Sequence, residues 1–154
     1  MFKKKDLVLT AHLRQDARIS LTRLSRKTGM PVSTIFDRLK ANDVVLKKTA
    51  LIDFTRIGYS ARATILLRVK KDEKDNLRTF LMKSFNVNSL YKVNNGFDFM
   101  MEGVFKDVRE LEEYIDQIDE RFSIKAKEIH YIIDDIKRED FLSHPELIDI
   151  LFAS

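Results

Sequence analysis

The side chains best placed to do chemistry are small polar and basic groups within one ten-residue segment. Ser33 and Thr34 carry hydroxyl groups that can hydrogen-bond to phosphate oxygens or to base edges. Arg38 and Lys40 follow closely and carry cations that can reach phosphates. This combination predicts a surface that binds a polyanion such as double-stranded DNA.

Two other residues of the segment have more than one interpretation. Phosphate repels a carboxylate such as Asp37 unless it accepts a hydrogen bond from cytosine N4 or orients Arg38 or Arg14, and the sequence leaves these alternatives open. Phe36 could contact a thymine methyl group or complete a hydrophobic core, and we favour the core.

Further basic residues flank the segment in the sequence. They are Arg23, Arg26 and Lys27 before it, and Lys47 and Lys48 after it. Their clustering favours phosphate neutralisation, which would make binding depend on salt. Each one alone could equally be a solvated surface charge.

Charge is distributed unevenly along the 154 residues, whose formal net charge is +4. Residues 1–60 contain 13 basic and 5 acidic side chains, a net charge of +8, whereas residues 61–154 contain 15 and 19, a net charge of −4. A basic first part on an acidic second part indicates a polyanion partner for the first and a different task for the second.

Several classes of chemistry are not expected. The chain has no cysteine, which excludes disulfides, thiolate metal sites and cysteine nucleophiles. Its histidines, His12, His130 and His144, lie far apart, and the sequence has no phosphate-binding glycine loop. We therefore expect no catalytic residue, no metal site and no cofactor.

The basic N-terminal residues precede an apolar run that Asp6, His12 and Arg14 interrupt. Such a run is typical neither of a signal peptide nor of a transmembrane segment. Together with the cysteine-free composition, it predicts a cytoplasmic protein without membrane contact. With the predicted DNA binding, the expected location is the nucleoid.

Three short helices must position the polar segment. Apolar spacing predicts helices over 6–14, 21–28 and 32–41, the last with an inward face of Val32, Ile35 and Leu39. Gly29 can adopt the left-handed conformation that ends a helix, and Pro31 suits the start of the next one. The pattern is typical of a helix-turn-helix, whose second helix enters the major groove.

Strands and helices alternate in the second part. The periodicity predicts strands over 61–69, 87–93, 97–105 and 125–134, and helices over 73–84 and 107–121. The inward-facing apolar residues of these helices should be Leu77, Leu81, Phe85, Val108, Leu111, Ile115, Ile118 and Phe122. Asn95-Gly96 favours a tight hairpin turn between the middle strands. This order is the βαββαβ arrangement of a ferredoxin-like fold, an antiparallel sheet with helices on one face.

The uncovered face of that sheet would carry apolar side chains. Its predicted members are Leu66, Leu90, Met100 and Val104. An exposed apolar sheet face favours a second subunit packed against it. A terminal helix over 145–152 is expected to dock on that assembly.

The whole pattern resembles the leucine-responsive regulatory protein family, the Lrp/AsnC or feast/famine regulators of archaea and bacteria. Residues 24–30 are similar to the family's L-A-x-x-x-G-L, and residues 33–40 to its recognition segment, S-x-x-T-V/I-x-x-R-I/L. Residues 95–99 are similar to its G-x-Y/F-D hairpin. The acidic residue, apolar helix and D-A-R that open the family's sequences correspond to Asp6, Leu9, Leu13 and Asp16-Ala17-Arg18.

The resemblance implies a transcription regulator that binds a roughly palindromic site as a dimer, assembles further into tetramers or octamers, and responds to an amino acid or similar effector. It implies effector-binding roles for Asn95, Gly96 and Asp98, because a glycine allows close backbone approach and a carboxylate can accept an ammonium group. The same three residues are also what a tight hairpin needs.

This resemblance and the element pattern together predict an α+β protein of four parts. They are a winged helix-turn-helix domain over 1–44, an extended wing or linker over 45–60, a ferredoxin-like βαββαβ sensing and oligomerisation domain over 61–140, and a tail helix over 141–154. Residues 44–53 are expected to be extended, as a wing or linker strand.

The sequence differs from the family pattern at four points. Pro31 replaces the usual Ser cap, Asp37 replaces a neutral or basic residue, and the tail from Phe141 has no family counterpart. The usual L-E-x-x-G after Lys40 is absent, which shortens this part by about one helical turn.

We expect a sequence-specific, DNA-binding transcription regulator. The alternative is an architectural protein of the same fold that coats DNA without a ligand and with little sequence preference. An enzyme is not expected, because no catalytic or metal-ligand spacing occurs in the sequence.

Overall fold

A computed structural model describes residues 3–152, which belong to two compact units. The first, here called the helical unit, combines Met1–Leu51 with Ile136–Ser154, and the second, the sheet unit, is Ile52–Asp135. The helical unit has 14 basic and 8 acidic residues, a net charge of +6, and the sheet unit has 14 and 16, a net charge of −2. The basic part of the protein is thus built from both ends of the chain.

The helices and strands occur in an order close to the predicted one. In chain order they are α1 (Lys4–Gln15), α2 (Leu21–Thr28), α3 (Val32–Lys40), β1 (Ala61–Val69), α4 (Lys74–Lys83), β2 (Val87–Lys92), β3 (Phe99–Phe105), α5 (Val108–Arg121), β4 (Ile124–Tyr131) and α6 (Pro145–Leu151). Short 3₁₀ turns cover Thr55–Ile57 and Lys71–Glu73.

The helical unit is held together by one small apolar core. Its buried members are Leu9 of α1, Leu24 of α2, Met30 of the turn and Ile35 of α3. Burial of these four side chains is the main force that packs such short helices together, since isolated helices of this length are marginal in water.

The tail helix α6 packs on α1, within the helical unit. Ile148 is fully buried there, and the ammonium of Lys4 lies 2.8 Å from the Asp149 carboxylate. The expectation that this helix docks on a sheet assembly is therefore wrong. Its apolar stripe completes the helical unit instead, and its acidic residue meets a basic one.

The sheet unit has four strands in the order β2-β3-β1-β4, and each pairing is antiparallel. Alternate residues of β1 and β3 point into one core with the inner faces of α4 and α5. Asp107 caps α5 by accepting a hydrogen bond of 2.9 Å from the Glu110 N–H. This is the expected ferredoxin-like arrangement, with both helices on one face.

A β-bulge changes the predicted uncovered face of the sheet. The register shifts between Val87 and Ser89, so Leu90 lies opposite Met101 and packs against the helix-covered core. Without the extra residue Leu90 would face the open side, as predicted. Leu90 is therefore wrongly assigned to an assembly interface.

Three other predicted details differ. Residues 44–53, all described by the structure, form no strand, so a paired wing is not formed there. Phe85 is exposed because α4 ends at Lys83, before the apolar stripe reaches it, and Val108 is exposed as the first residue of α5. Phe80 and Tyr114 pack in the core instead.

Candidate functional site

The turn between α2 and α3 has the geometry that its glycine predicts. Gly29 has φ of 69°, and its N–H donates to the Ser25 carbonyl at 2.9 Å. The Ser25 hydroxyl in turn donates to the carbonyl of buried Met30 at 2.6 Å. The left-handed glycine and this second bond fix the course of the chain from one helix into the next.

The first turn of α3 offers unsatisfied hydrogen-bond donors. Pro31 stands at the N-cap and has no side-chain oxygen with which to cap the first N–H groups. The exposed Ser33 and the half-buried Thr34 lie in that turn. Backbone N–H groups, hydroxyls and the positive end of the helix dipole together favour an anion such as phosphate.

The outward face of α3 carries Ser33, Phe36, Asp37 and Lys40, all exposed. At 100° per residue these four fall within an arc of about 100°. Phe36 is 52% exposed, so its assignment to the core is wrong. The inward positions are taken by Ile35, which is fully buried, and by Leu39, which packs against the core. Val32, also predicted to face inward, is 42% exposed as the first residue of α3, so that prediction is wrong.

Arg38 lies on a different side of α3 and has a partner within the protein. Its Nη1 lies 2.7 Å from the Asp6 carboxylate of α1, and both side chains are largely shielded from solvent. Among residues 3–152 its buried Nε finds no hydrogen-bond partner. A second polar contact joins α1 to the residues just after α3, since the Asn42 amide donates to the Thr10 hydroxyl at 3.3 Å. The pair with Asp6 favours a role for Arg38 in positioning α3.

Two of the three alternatives for Asp37 are not realised. Arg38 pairs with Asp6, and Arg14 donates to the Glu139 carbonyl at 2.8 Å. Asp37 is therefore an exposed carboxylate that orients neither arginine. Acceptance of a hydrogen bond from a cytosine amino group is the alternative that remains open.

The flanking basic residues are exposed, as phosphate contacts require. Arg26 and Lys27 project from α2, whereas Lys47 and Lys48 lie in the irregular segment after α3. Arg23 is also exposed, with Nη1 3.9 Å from Asp16.

The hairpin between β2 and β3 has the predicted tight turn. Asn95 and Gly96 have φ of 60° and 89°, both left-handed, and both residues are exposed. Two successive left-handed residues are what a type I′ turn requires. The turn thus leaves the backbone of both residues accessible.

The Asp98 carboxylate is already engaged within the sheet unit. One oxygen accepts a hydrogen bond from the Val69 N–H at 3.0 Å, and the other lies 2.7 Å from the Lys74 ammonium. Burial alone would raise the pKa of Asp98, but the hydrogen bonds from Lys74 and Val69 outweigh it and lower that pKa below its ordinary value. The carboxylate ties the hairpin to β1 and α4.

The open face of the sheet retains two of its predicted apolar residues as partly exposed groups. Leu66 and Met100 lie opposite each other on β1 and β3. Val104 is on the same face but only 8% exposed, so it is already covered within one chain.

Arg62, opposite Val104, is a residue that the sequence analysis missed. Its guanidinium lies 2.6 Å from Asp135, 3.4 Å from Glu102 and 5.4 Å from the centre of the Phe54 ring. The alternation of β1 places Arg62 on the open face. No local signal could have shown that residues 8 and 73 positions away meet there.

Within residues 3–152 no group of three or more histidine, cysteine or acidic side chains is arranged to hold a metal ion. Over the same residues, no helix is both long and apolar enough to cross a membrane.

Comparison of the sequence with known proteins identifies a family. The profile of the Lrp/AsnC ligand binding domain matches residues 62–141. The chain is 31% identical over 109 residues to the HTH-type transcriptional regulator FL11 of Pyrococcus horikoshii, covering 69% of this chain and 72% of that protein.

Solved structures show the same fold at lower sequence identity. A transcriptional regulator from Neisseria meningitidis, solved as a complex with L-Met, superposes with a TM-score of 0.83 at 18% identity, covering 90% of this chain and 94% of that one. LrpC of Bacillus subtilis superposes with a TM-score of 0.80 at 16% identity, covering 89% and 97%.

The family consists of transcription regulators rather than enzymes, and the helix-turn-helix and ferredoxin-like units described above are its two parts. The chain belongs to the Lrp/AsnC family of DNA-binding transcription regulators.

Proposed function

We propose that this protein recognises specific, roughly palindromic DNA sites as a dimer or higher oligomer, with α3 of each copy in the major groove. The observation that carries the proposal is the outward face of α3, which begins with uncapped N–H groups and lies in a unit of net charge +6. Two such helices on a two-fold axis would enter successive grooves about 34 Å apart.

The predicted contact residues take three roles in this proposal. Ser33, Thr34 and Lys40 contact DNA directly, and Asp37 accepts a hydrogen bond from a cytosine amino group where the site has one. Arg38 positions α3 through Asp6. The phosphate contacts are Arg23, Arg26, Lys27, Lys47 and Lys48.

The dimer in this proposal forms through the open face of the sheet. Leu66 and Met100 lie at its centre, partly exposed and opposite each other. Burial of this apolar surface against a second copy would stabilise a dimer. Because a two-fold interface uses the same patch of both copies, this one patch is enough to form it. Tetramers or octamers of such dimers belong to the same proposal.

The sheet unit is proposed to bind an amino acid or a similar small effector. The support is its match to the family's ligand binding domain and the L-Met complex of the Neisseria regulator. The accessible backbone of Asn95 and Gly96 would contact the ligand. Asp98 would hold the hairpin in place, because its carboxylate is engaged by Lys74 and Val69.

One observation favours a second candidate, an architectural protein that coats DNA without a ligand. An effector's ammonium group needs an available acceptor, and the Asp98 carboxylate is already engaged. This candidate predicts steep salt dependence with little sequence preference.

Selection of bound genomic fragments, with and without a panel of the twenty amino acids, separates the two candidates. A regulator enriches a few palindromic sites, and one amino acid changes their occupancy. A coat protein enriches no motif.

In binding titrations, Lys40→Ala should weaken affinity and reduce the salt slope by about one. Lys83→Ala, an exposed lysine of the sheet unit, is the matched control and should change neither.

A further inference from the structure

We propose that Phe36 is a specificity-determining residue that packs its ring against the C5-methyl group of a thymine in the major groove. This inference rests on the proposed insertion of α3 into DNA and names a feature that α3 recognises there. Thymine's methyl is the apolar group that bases present on the floor of the major groove.

The core of the helical unit does not account for Phe36. Among the described residues the core of the helical unit is formed by Leu9, Leu24, Met30 and Ile35, with Ile19, Leu21 and Leu39 packed against it. Phe36 lies outside this set and is 52% exposed. About half of the surface of Phe36 therefore remains in contact with water and adds nothing to the stability of the helical unit.

Phe36 lies on the outward face of α3. On α3, Phe36 lies next to Lys40 and about 60° from Ser33, so it shares the face that carries the polar candidates. Val32 is also partly exposed and borders the ring at i−4. An apolar patch bordered by a cation and a hydroxyl fits a groove whose edges are phosphate and whose floor carries methyl groups.

The charge of the helical unit decides which partner covers Phe36. The same surface of a second copy could also cover Phe36. The helical unit, however, has a net charge of +6, and Lys27, Lys40, Lys47 and Lys48 are all exposed. Two copies of so basic a surface repel each other, whereas DNA attracts it. The positive charge around Phe36 therefore favours DNA as the partner of its ring.

The test uses one duplex, chosen by the protein from a random-sequence library, in which each thymine in turn is replaced by deoxyuridine. This replacement removes one methyl group and keeps every hydrogen bond of the base. Affinities are measured for the wild type, Phe36→Ala and Phe36→Leu. The matched control is Phe85→Ala, which removes a ring that is 85% exposed in the sheet unit.

We expect the wild type to lose about fourfold in affinity at one thymine per half-site, the change that ~0.8 kcal/mol per methyl group corresponds to. Phe36→Ala should bind thymine and deoxyuridine equally at that position, whereas Phe36→Leu should keep part of the difference. Phe85→Ala should behave as the wild type. The salt slope should be the same for all four proteins, because Phe36 contacts no phosphate.

Two results would overturn the inference while leaving the proposed function intact. One is a wild type that binds the selected duplex but is insensitive to deoxyuridine at every position. The other is a Phe36→Ala protein that keeps the full sensitivity, or that instead loses mass in light scattering, which would assign the ring to a contact between copies. If the wild type enriches no duplex from the library, the proposed function itself fails.

Discussion

Arg38 and Asp6 show how an ion pair decides the role of a residue that the sequence assigns to DNA. The pair joins α3 to α1 at 2.7 Å, and both side chains are about three-quarters shielded from water. Such a pair lies between the exposed class, which contributes little, and the buried class, whose disruption is costly. The pair fixes the position of α3 against α1 and thereby the orientation of the outward face of α3.

Arg38→Ala should lower the free energy of unfolding by about 1–3 kcal/mol, because it leaves the shielded Asp6 carboxylate without its charged partner. Urea denaturation followed by far-UV circular dichroism measures this loss. Arg26→Ala, an exposed arginine of α2, is the control and should change stability by less than about 0.5 kcal/mol. Unchanged stability together with a large loss of DNA affinity would assign Arg38 to direct contact instead.

Asp98 makes a pH-dependent contribution to the stability of the sheet unit. Its pKa is lowered in the folded state, so the folded form favours the carboxylate more than the unfolded form does. The stabilisation is therefore present above the ordinary value of 3.8 and is lost as the pH falls through the lower, folded value.

Asp98→Asn should lower stability by about 1.5–3 kcal/mol at pH 7, where it replaces an ionised hydrogen-bond acceptor by a neutral one. The difference between wild type and variant should shrink as the pH falls below 3.8. Urea denaturation at a series of pH values, followed by tyrosine fluorescence, measures it. Asp75→Asn, at an exposed position, is the control. A difference that does not depend on pH would contradict the assignment.

At the scale of the element, α6 is a short helix far along the chain that becomes part of the helical unit. The helix has only seven residues and could not be stable alone. Its fully buried Ile148 and the Lys4–Asp149 ion pair bind it to α1. The tail thus adds apolar burial to a unit whose own helices are short.

Ile148→Ala should destabilise the helical unit by about 2–4 kcal/mol, through lost burial and the cavity left behind. Ile150→Ala is the matched control, since Ile150 is mostly exposed on the same helix. All four tyrosines, at positions 59, 91, 114 and 131, lie in the sheet unit. The loss should therefore appear in far-UV circular dichroism as an earlier transition, with tyrosine fluorescence much less affected. Equal effects of the two variants would show that α6 does not depend on this contact.

Sequence patterns predicted the local elements well, because their signals are local. Ser20 and Gly29 bound α2 where capping predicts, and Asn95-Gly96 forms the tight turn. The errors arose where one residue changes a long-range relation. The bulge before Ser89 moved Leu90 to the other face of the sheet.

The candidate site was predictable in type but not in geometry. The exposed face of α3 follows from helical periodicity, as does the burial of Ile35. The partner of Arg38 lies 32 residues away, and that of Arg62 lies 73 residues away, so neither follows from spacing. Phe36 was wrongly assigned to the core because a large apolar ring is usually buried, whereas three short helices form too small a core to bury it.

At the scale of the whole molecule, the two units divide charge and apolar surface between them. The helical unit carries a net charge of +6 and the sheet unit −2, although the tail returns acidic residues to the basic unit. Self-association is favoured where apolar surface is present and like charge is low. The open face of the sheet unit meets both conditions better than the helical unit does.

Met100→Asp should therefore reduce assembly. A carboxylate at the centre of the open face would be desolvated next to its counterpart across a two-fold axis, which costs far more than the lost apolar contact. Light scattering should show the mass falling towards the 18.1 kDa of one chain. Met82→Asp, at an exposed position of α4, is the matched control and should leave the mass unchanged. DNA affinity should fall with the mass. A single copy engages one half-site only, whereas in a dimer the binding of one copy raises the effective concentration of the second copy at the other half-site. If Met100→Asp keeps the wild-type mass, the copies associate through another surface, and the half-site spacing must then be set by that surface instead.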